Sequence, residues 1–383
     1  MILIGDVVEI ISGYAFKSNL FNESGEGLPL VRIRDVGKKV SETYYSGEYS
    51  DVFLLKNGDF IIGMDGDFRL AKWEGGKALL NQRVCKITPN KEKIDASYLF
   101  YILPKELKKI EDVTSFATVK HLSAKDIKAI SIPLPPLAEQ QKIAAILDAA
   151  DSLRHKDQQL VERYTALSQS LFLEMFGDPV TNPMGWARRK ISDVCLKVTD
   201  GTHQSPRFIS EGIPFLLVSN IVNNEINFKT KKFISVVDYD ALTRNTPIEK
   251  NDILYTSVGS YGNPAIVKAD IKFCFQRHIA HLKPNHQIIN VKFLHAMLLS
   301  SYVKNQADKL ARGVAQKTLN LKEIKSVEIY LPNHSDQNQF AERIQLIEAQ
   351  KQQAQASLEK SEALFNSLLQ RAFTGELTAK MAA

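Results

Sequence analysis

The chain repeats one order of short residue matches in its two halves, and this internal repeat constrains the fold more than any other feature. The matched positions lie about 185 to 197 residues apart and keep their order throughout. Such a repeat predicts two copies of one structural unit, and the drift in spacing places the insertions in loops. The matched stretches are 4–7 with 191–194, 27–31 with 212–216, 57–61 with 250–254, 82–83 with 276–277, 120–122 with 317–319, 134–135 with 331–332, and 140 with 337.

Each half combines short strand-like runs with one helical stretch, which predicts an α+β domain that occurs twice. The runs are β-branched and aromatic, and Gly, Asn and Asp residues bound them. A helical stretch follows near 97–109 and near 291–311, and each half ends with a strand and a proline. The predicted strands include 30–36, 60–63, 83–87, 215–221, 253–256 and 278–282.

A long helix is predicted after each domain, at residues 137–176 and 336–373, and each would span roughly 60 Å. Pro135 and Pro136 suit the start of the first helix, and Gly177 suits its end. Apolar residues recur three or four positions apart in both helices, with a polar stretch in the middle of each. The apolar positions are Ile143, Leu147, Ala150, Leu153, Leu160, Tyr164, Leu167, Leu171 and Met175 in the first, and Phe340, Ile344, Ile347, Leu358, Leu364, Leu368 and Ala372 in the second.

The two apolar stripes predict that the long helices pack against each other. A single helix with a narrow stripe is poorly stabilised alone, whereas two such helices bury each other as a coiled coil. The order domain–helix–domain–helix makes this pair antiparallel and relates the halves by a pseudo-two-fold axis. The fold class is therefore α+β, with two similar domains separated by two long helices. The predicted segments are a first domain 1–135, a first spacer helix 136–178, a second domain 179–333, a second spacer helix 334–376 and a C-terminal tail 377–383.

Positive charge is concentrated in the second predicted domain. The chain has a net charge of +6, and residues 179–333 hold 21 Lys and Arg against 12 Asp and Glu, whereas residues 1–135 hold 19 against 18. This asymmetry favours contact between the second domain and a polyanion, and a basic surface without such a partner is the alternative interpretation.

The sequence has no feature of a membrane or secreted protein. Its apolar runs are short, and the N-terminus carries Asp6 and no basic residue, unlike a signal peptide. The three cysteines, Cys85, Cys195 and Cys274, form no CxxC pair and are typical of buried thiols in a reducing compartment. With 44% hydrophobic residues, the chain is predicted to be a soluble, cytoplasmic protein.

No catalytic motif is found, so no catalytic or metal-ligating residue is predicted. There is no glycine-rich nucleotide loop and no methyltransferase signature. Asp65-Gly66-Asp67 is better interpreted as a turn than as a metal pair. His278 and His281 lack the Cys or His partners that a zinc site needs.

Four stretches resemble the specificity subunit of type I restriction-modification systems, and the resemblance covers nearly the whole chain. Residues 132–143 (IPLPPLAEQQKI) resemble the start of that family's first spacer helix, and 175–179 (MFGDP) resemble its end. Residues 199–206 (TDGTHQSP) resemble the opening of a second recognition domain, and 372–377 (AFTGEL) the usual C-terminal end. Residues 331–337 (LPNHSDQ) depart from the pattern, because polar residues replace the expected Pro-Leu and Glu.

The resemblance implies that each α+β unit is a target-recognition domain for one half of a split site in double-stranded DNA. It implies that the subunit is not an enzyme and binds no cofactor of its own. Two modification subunits would methylate adenine with S-adenosylmethionine, and two restriction subunits would use ATP and Mg²⁺ to translocate and cleave DNA. The resemblance implies that this chain docks these partners and acts away from any membrane.

Candidate DNA-binding residues lie on the predicted loops of both domains. Lys and Arg neutralise phosphates, and Arg, Lys, Asn, Gln, Ser and Thr read base edges. The candidates in the first domain are Arg32, Arg34, Arg69, Lys72, Arg83, Lys120 and His121. The candidates in the second domain are Thr202, His203, Gln204, Arg207, Ser219, Asn220, Tyr261, Arg277, Gln316 and Lys317.

Two pairs of residues recur in both halves, and recurrence argues against a role in sequence choice. Residues that distinguish one half-site from another should differ between the domains. Gln82 and Gln276 are therefore predicted to bond loop backbone, and Arg83 and Arg277 to contact phosphate. The loops otherwise differ widely, which predicts an asymmetric, bipartite target.

Two other functions fit the same sequence. A stand-alone DNA-binding regulator would bind DNA tightly without partners, which a gel shift on the purified chain would detect. A coiled-coil scaffold whose domains bind protein would keep its function when the loops of both domains are scrambled.

Overall fold

The computed structural model describes residues 1–113, 120–268, 270–313 and 317–379. The chain divides into two compact units. Unit 1 consists of Met1–Gln158 and Gln355–Ala383, and unit 2 consists of Gln159–Ala354. Each unit is therefore an α+β domain combined with parts of both long helices.

Unit 1 contains two main sheets. An antiparallel sheet has the strand order β2-β10-β7-β8, and a second sheet has the order β3-β5-β4-β9-β6, in which β4 and β9 run parallel. A short antiparallel pair, β1 with β11, joins the N-terminus to the end of the domain. The strands are β1 Ile2–Leu3, β2 Val8–Ser12, β3 Phe21–Asn22, β4 Leu28–Val31, β5 Tyr44–Tyr45, β6 Leu54–Leu55, β7 Phe60–Gly63, β8 Leu70–Lys72, β9 Ala78–Leu80, β10 Val84–Pro89 and β11 Ser131–Ile132.

Two α-helices among the described residues complete this domain of unit 1, and the first long helix follows them. Helix α1 spans Ala96–Val113, α2 spans Ala124–Lys128, and α3, the first long helix, spans Leu137–Phe176. One face of α1 is buried, because Leu99, Leu103 and other apolar residues recur at helical spacing and pack in the main core of the unit.

Unit 2 has the same central sheet. Its strands have the order β13-β21-β18-β19, which matches β2-β10-β7-β8 position by position. A three-stranded sheet, β17-β14-β20, and the pairs β15-β16 and β12-β22 surround it. The strands are β12 Ala187–Lys190, β13 Cys195–Asp200, β14 Ile213–Leu216, β15 Ile221–Val222, β16 Glu225–Ile226, β17 Phe233–Ile234, β18 Ile253–Thr256, β19 Pro264–Ile266, β20 Cys274–Phe275, β21 Ile279–Pro284 and β22 Glu328–Leu331.

The helical stretch predicted at 291–311 is two helices in the structure. Leu299 is the C-cap of the first helix, and Ser300 caps the start of the second, since its hydroxyl accepts a hydrogen bond from the N–H of Val303 at 3.3 Å. The helices after α3 are α4 Ile191–Val194, α5 Val236–Thr243, α6 Val291–Leu298, α7 Ser301–Leu310, α8 Leu321–Ser326, the long α9 His334–Thr374 and α10 Glu376–Ala379.

The long helices have nearly the predicted bounds. Helix α3 begins and ends at the predicted residues, 137 and 176. Helix α9 begins two residues before and ends one residue after the predicted 336–373. Gly177 follows α3 with a φ of +75°, the left-handed conformation typical of a residue just past a helix end.

In unit 1 the first part of α3 packs against the last part of α9. The guanidinium of Arg154 lies 4.9 Å from the ring centre of Phe365, and one turn later Asp157 accepts a hydrogen bond from Ser357 at 3.2 Å. As the residue number rises along α3, that of its partner falls along α9. The two segments are therefore antiparallel, as predicted.

In unit 2 the last part of α3 packs against the first part of α9. The ring centres of Phe172 and Phe176 lie 5.8 and 5.4 Å from that of Phe340. Phe293 of α6 lies 4.8 Å from Phe176, so this aromatic group joins the helix pair to the domain.

Part of the predicted apolar stripe is wrong. Leu153, Leu160 and Leu167 are 46%, 40% and 48% exposed, so they lie outside the buried face of α3. In α9, Leu364 is also exposed, and the neighbouring Phe365 takes the buried position. The less exposed positions next to these three leucines are Arg154, Val161 and Ser168, which continue the spacing of the buried Leu147, Ala150 and Leu171.

The cysteines were predicted to be buried thiols, and two of the three are buried. Cys85 and Cys274 are buried free thiols, as expected, whereas Cys195 is only half-buried. Burial raises the pKa of the Cys85 and Cys274 thiols to about 12, which leaves both protonated at neutral pH.

Among the helices that the structure describes, none combines the length and the apolar character that a membrane span requires.

Candidate nucleic-acid interface

The loops at one end of the central sheet are held by the same backbone contacts in both units. Gly13 and Gly201 occupy equivalent places just after β2 and β13. A Cβ at Gly13 would lie 2.0 Å from the carbonyl oxygen of Asn81, and one at Gly201 would lie 2.2 Å from that of Phe275. Only glycine allows this close approach of two backbones, which fixes the loop that precedes β10 or β21.

The repeat match of 82–83 with 276–277 is displaced by one residue in the structure. The carbonyl of Arg83 accepts the N–H of Met64 at 2.8 Å, and the equivalent carbonyl in unit 2 belongs to His278, which accepts the N–H of Ser257 at 3.0 Å. The strand registers agree, because β10 begins just after Arg83 and β21 just after His278. Arg83 therefore corresponds to His278.

Arg277 takes the place of Gln82 in this framework. The N–H of Gln82 donates to the carbonyl of Tyr14 at 2.8 Å, and that of Arg277 donates to Thr202 at 3.0 Å. The loop bonds of Gln82 and Gln276 are made by their backbone. Since the two arginines occupy different positions, their recurrence in the sequence no longer argues against a role in choosing bases.

In unit 1 three side chains from separate segments meet at this end of the sheet. Asp65 follows β7, Arg83 precedes β10, and His121 lies before α2. His121 Nδ1 lies 2.7 Å from Asp65 Oδ1, and Arg83 Nε lies 3.4 Å from Asp65 Oδ2. Arg83 Nη1 lies 3.2 Å from His121 Nδ1. This Asp65 cluster (Asp65, Arg83 and His121) leaves about half of the Arg83 and His121 side chains exposed.

The other candidates of unit 1 make contacts outside the Asp65 cluster. Arg34 donates to Thr43 Oγ1 at 2.8 Å, and Lys120 lies 3.3 Å from Glu111 Oε1. The guanidinium of Arg69 lies against Gly37, where a Cβ would come within 2.7 Å of it. Two candidates have other positions, the half-buried Arg32 before a 3-10 turn and the exposed Lys72 on β8.

In unit 2 the equivalent loops line an open cleft of about 390 Å³. His203 Nε2 lies 3.0 Å from Asp200 Oδ2, and Arg277 Nε donates to His278 Nε2 at 3.3 Å. All four side chains line the cleft, together with Asn320 at the start of α8. The structure thus brings together two of the predicted residues, His203 and Arg277.

Charge and burial fix the state of His278. Burial and the neighbouring Arg277 guanidinium lower the pKa of His278. Its ring is therefore neutral near pH 7 and can accept the hydrogen bond from Arg277. Because Nε2 accepts from Arg277, the neutral ring carries its proton on Nδ1, so the pair offers hydrogen-bond donors to a bound polar edge.

Asn220 and Tyr261 are engaged within unit 2. Asn220 is buried, accepts the N–H of Leu217 at 2.9 Å, and donates to the carbonyl of Asn227 at 2.8 Å. We therefore place Asn220 in the loop framework and not in the candidate interface. The Tyr261 hydroxyl donates to Asp308 at 2.6 Å, and this hydrogen bond raises the pKa of Tyr261.

The remaining candidates of unit 2 are mostly exposed. Thr202 is half-buried and its hydroxyl donates to the carbonyl of Gln204 at 2.8 Å. Gln316 lies outside the described residues. The exposed candidates are Gln204, Arg207, Ser219 and Lys317.

The acidic residues that hold the exposed side chains, Asp65 and Asp200, are not among the DNA-binding residues predicted from the sequence. The sequence around Asp65 indicates a turn, and His278 is also not among the candidates. Asp65 does lie in a turn, beside Gly66 with a φ of +70°. Its pairing with His121, 56 positions away, has no local signal. Between residues 1 and 379, leaving out 114–119, 269 and 314–316, no three His, Cys, Asp or Glu side chains are grouped to hold a metal ion.

Comparison with known proteins assigns the family. The model of the type I restriction modification DNA specificity domain matches the chain at residues 1–163 and again at 183–360. The chain belongs to this family. The two matches cover most of the chain, and each contains one of the two α+β domains. The family resemblance predicted from the sequence is confirmed.

Relatives align with this specificity chain over nearly its whole length. The specificity subunit of the Escherichia coli type I restriction enzyme EcoBI is 33% identical over 98% of this chain and 85% of its own length. The specificity subunit of MjaVIII from Methanocaldococcus jannaschii is 23% identical over 99% and 93%.

Solved structures share the fold. The S subunit of a type I restriction-modification system from M. genitalium has a TM-score of 0.62 and 15% identity, covering 97% of this chain and 95% of its own. A chain from a structure described as the basis of complex assembly and conformational transition of the type I system has a TM-score of 0.51 and 17% identity, covering 98% and 97%. The predicted fold class is confirmed.

Proposed function

We propose that this specificity chain selects the DNA sequence for a type I restriction-modification complex by reading a bipartite, asymmetric site. The proposal rests on one observation. The loops of the two units share the same backbone hydrogen bonds but carry different side chains. The places of Asp65 and His121 are taken in unit 2 by Val258 and Thr318, since these residues form the equivalent bridges. The two recognition domains would therefore read different half-sites.

The chain would act without catalysis of its own, and its partners would carry out the chemistry. Modification subunits would use S-adenosylmethionine to methylate adenine after flipping it from the stack. Restriction subunits would use ATP and Mg²⁺. Two copies of each partner would match the two recognition domains, and a cytoplasmic location would give the complex access to DNA.

Exposed leucines on the long helix α3 support docking of a partner. In unit 2, Leu160 and Leu167 lie one heptad apart and are 40% and 48% exposed, so they share one face. A partner helix would cover this face. Leu160→Glu with Leu167→Glu should abolish co-elution with the modification subunit, and circular dichroism should show an unchanged helix content.

Selection from random DNA by the assembled complex tests the proposed function. We expect the bound DNA to share two short fixed segments with an unconstrained gap of constant length. A single continuous motif, or no motif, would contradict a bipartite reader. The same selection with the purified chain alone is the control. A stand-alone regulator would select the same motif without its partners.

A further inference from the structure

Arg83 has a backbone conformation that residues other than glycine rarely adopt. Its φ is +69°, in the left-handed region, and the hydrogen bond from Met64 to its carbonyl holds the loop in place. Such conformations cost energy and concentrate at functional sites. In the described part of unit 2, the equivalent His278 has no positive φ. The shared framework therefore does not require the conformation of Arg83.

The side chain of Arg83 is held on one side and open on the other. Asp65 lies 3.4 Å from both Nε and Nη1 of Arg83, and the same carboxylate lies 2.7 Å from His121 Nδ1. Nη2 of Arg83 makes no hydrogen bond within the described part of the chain. The guanidinium thus has a fixed plane and keeps unused donors.

Stability of the fold does not account for this arrangement. The Arg83 side chain is 53% exposed, and an ion pair at such a site adds little to folding. The same framework forms in unit 2 with Val258 and Thr318 in place of the acid and the histidine. At this position of the framework, a positive φ and a guanidinium held by a carboxylate are therefore found in unit 1 and not in the described part of unit 2, as expected for a residue that recognises only the first half-site.

We propose that Arg83 reads a guanine of the first half-site, with Asp65 and His121 as positioning residues; this rests on the proposed DNA-recognition function. An arginine donates two parallel hydrogen bonds to O6 and N7 of guanine in the major groove. No other base offers this pair of acceptors there. A carboxylate that fixes the plane of the guanidinium reduces the side-chain conformational entropy that is lost on binding.

A phosphate contact by Arg83 would behave differently. Phosphates carry no sequence information, so losing such a contact lowers affinity for all DNA sequences alike and reduces the salt dependence of binding. Losing a guanine contact relaxes the preference at one position and leaves the others unchanged.

The test uses the complex of the full chain with its modification subunit and DNA duplexes carrying every single-base change in both half-sites. Competition binding compares wild type with Arg83→Gln, Arg83→Lys, Asp65→Asn and Asp65→Glu. Arg277→Gln removes an arginine from the candidate interface of unit 2 and is the control that shows which half-site each unit reads. The preferences at the second half-site report whether the Arg83 and Asp65 variants are folded and assembled, and the preferences at the first half-site do so for Arg277→Gln.

We expect Arg83→Gln to lose a guanine preference of roughly 5- to 150-fold at one position of the first half-site. Arg83→Lys should retain part of this preference, because an ammonium can still donate to O6 and N7 but lacks the planar fork of arginine. Asp65→Asn should weaken the same preference, Asp65→Glu should retain more of it, and Arg277→Gln should leave the first half-site unchanged. A uniform loss of affinity, an unchanged profile or a first half-site without guanine would overturn the assignment. A wild-type complex without any sequence preference would contradict the proposed function as well.

Discussion

Gln140 and Gln337 make the same three hydrogen bonds in the two units. Gln140 accepts the N–H of Asp95 at 2.9 Å, and Gln337 accepts that of Asn290 at 2.8 Å. The amide group of each glutamine donates to the carbonyl of the proline five residues earlier at 2.9 Å. It also donates to the carbonyl of Lys93 at 3.2 Å in unit 1 and to that of Ile288 at 3.3 Å in unit 2. Both side chains are buried, at 1% and 0% exposure. The start of each long helix is thus joined to its domain by one buried amide.

Removing either amide should destabilise only its own unit. Gln140→Ala leaves the buried N–H of Asp95 without a partner, which costs about 1–3 kcal/mol. Hydrogen exchange should become faster at the Asp95 amide in Gln140→Ala and at the Asn290 amide in Gln337→Ala. Each variant is the control for the other. Equal acceleration at both amides in either variant would show that the glutamines do not act locally.

Alanine at Gly13 or Gly201 should destabilise the chain because its Cβ would meet a backbone carbonyl at 2.0 or 2.2 Å. We expect a loss of about 2–4 kcal/mol in the free energy of unfolding, measured with urea. Gly66→Ala is the control, because its positive φ costs only about 1 kcal/mol and no atom lies within 4 Å of the new Cβ. Equal losses in all three variants would refute the close backbone approach.

Asp252 should stabilise unit 2 in a pH-dependent way. It is 3% exposed, lies 2.7 Å from His281 Nε2, and accepts a hydrogen bond from Lys283 at 3.0 Å. Burial raises the pKa of Asp252, but the hydrogen bonds from His281, Lys283 and the N–H of Glu249 outweigh it and lower the pKa below its ordinary value of 3.8. Asp252→Asn should cost roughly 3 kcal/mol at pH 7.

The sign of the pH effect follows from the lowered pKa of Asp252. Its stabilisation is fully present above the unfolded-state value of 3.8 and is lost as the pH falls through the folded-state value. The difference between wild type and Asp252→Asn should therefore shrink below about pH 4. In a Trp73→Phe background, the fluorescence of Trp186 measures the unfolding of unit 2. Asp59 occupies the equivalent place in unit 1, and Asp59→Asn is the control. A difference that stays constant down to pH 2 would exclude this linkage.

Lengthening both long helices should change the gap between the half-sites and not the bases read. Seven residues inserted into each helix keep the heptad register and add roughly 10 Å, about three base pairs of DNA. Selection from random DNA measures the gap. The same insertion at the exposed Gly25, where no atom lies within 4 Å of a new Cβ, should leave the gap unchanged. New bases with an unchanged gap would refute the role of the helices as spacers.

The sequence predicted the architecture well because the repeat and the long helices are marked along the chain. Prolines and glycines bound α3, so its limits were predicted to the residue. The buried face was predicted less well because it depends on the partner helix. Asp157, from the polar middle of α3, is buried through its hydrogen bond to Ser357, whereas the apolar Leu160 is exposed.

The candidate interface was predicted by residue type and not by geometry. Exposed Arg and His residues on loops were found, because their chemistry suits DNA. The one-residue shift between Arg83 and Arg277 depends on backbone hydrogen bonds, which sequence matching does not include. The contact of Asp65 with His121 joins segments that only the folded sheet brings together.

Mapping N6-methyladenine across the DNA of cells that express this chain with its modification subunit tests the central claim most directly. The account predicts that all marks that depend on the chain lie in one motif of two different half-sites with a fixed gap. Deleting the chain should remove these marks and no others. Marks that persist without the chain, or that follow a single palindromic motif, would contradict the claim that its two units read different DNA sequences.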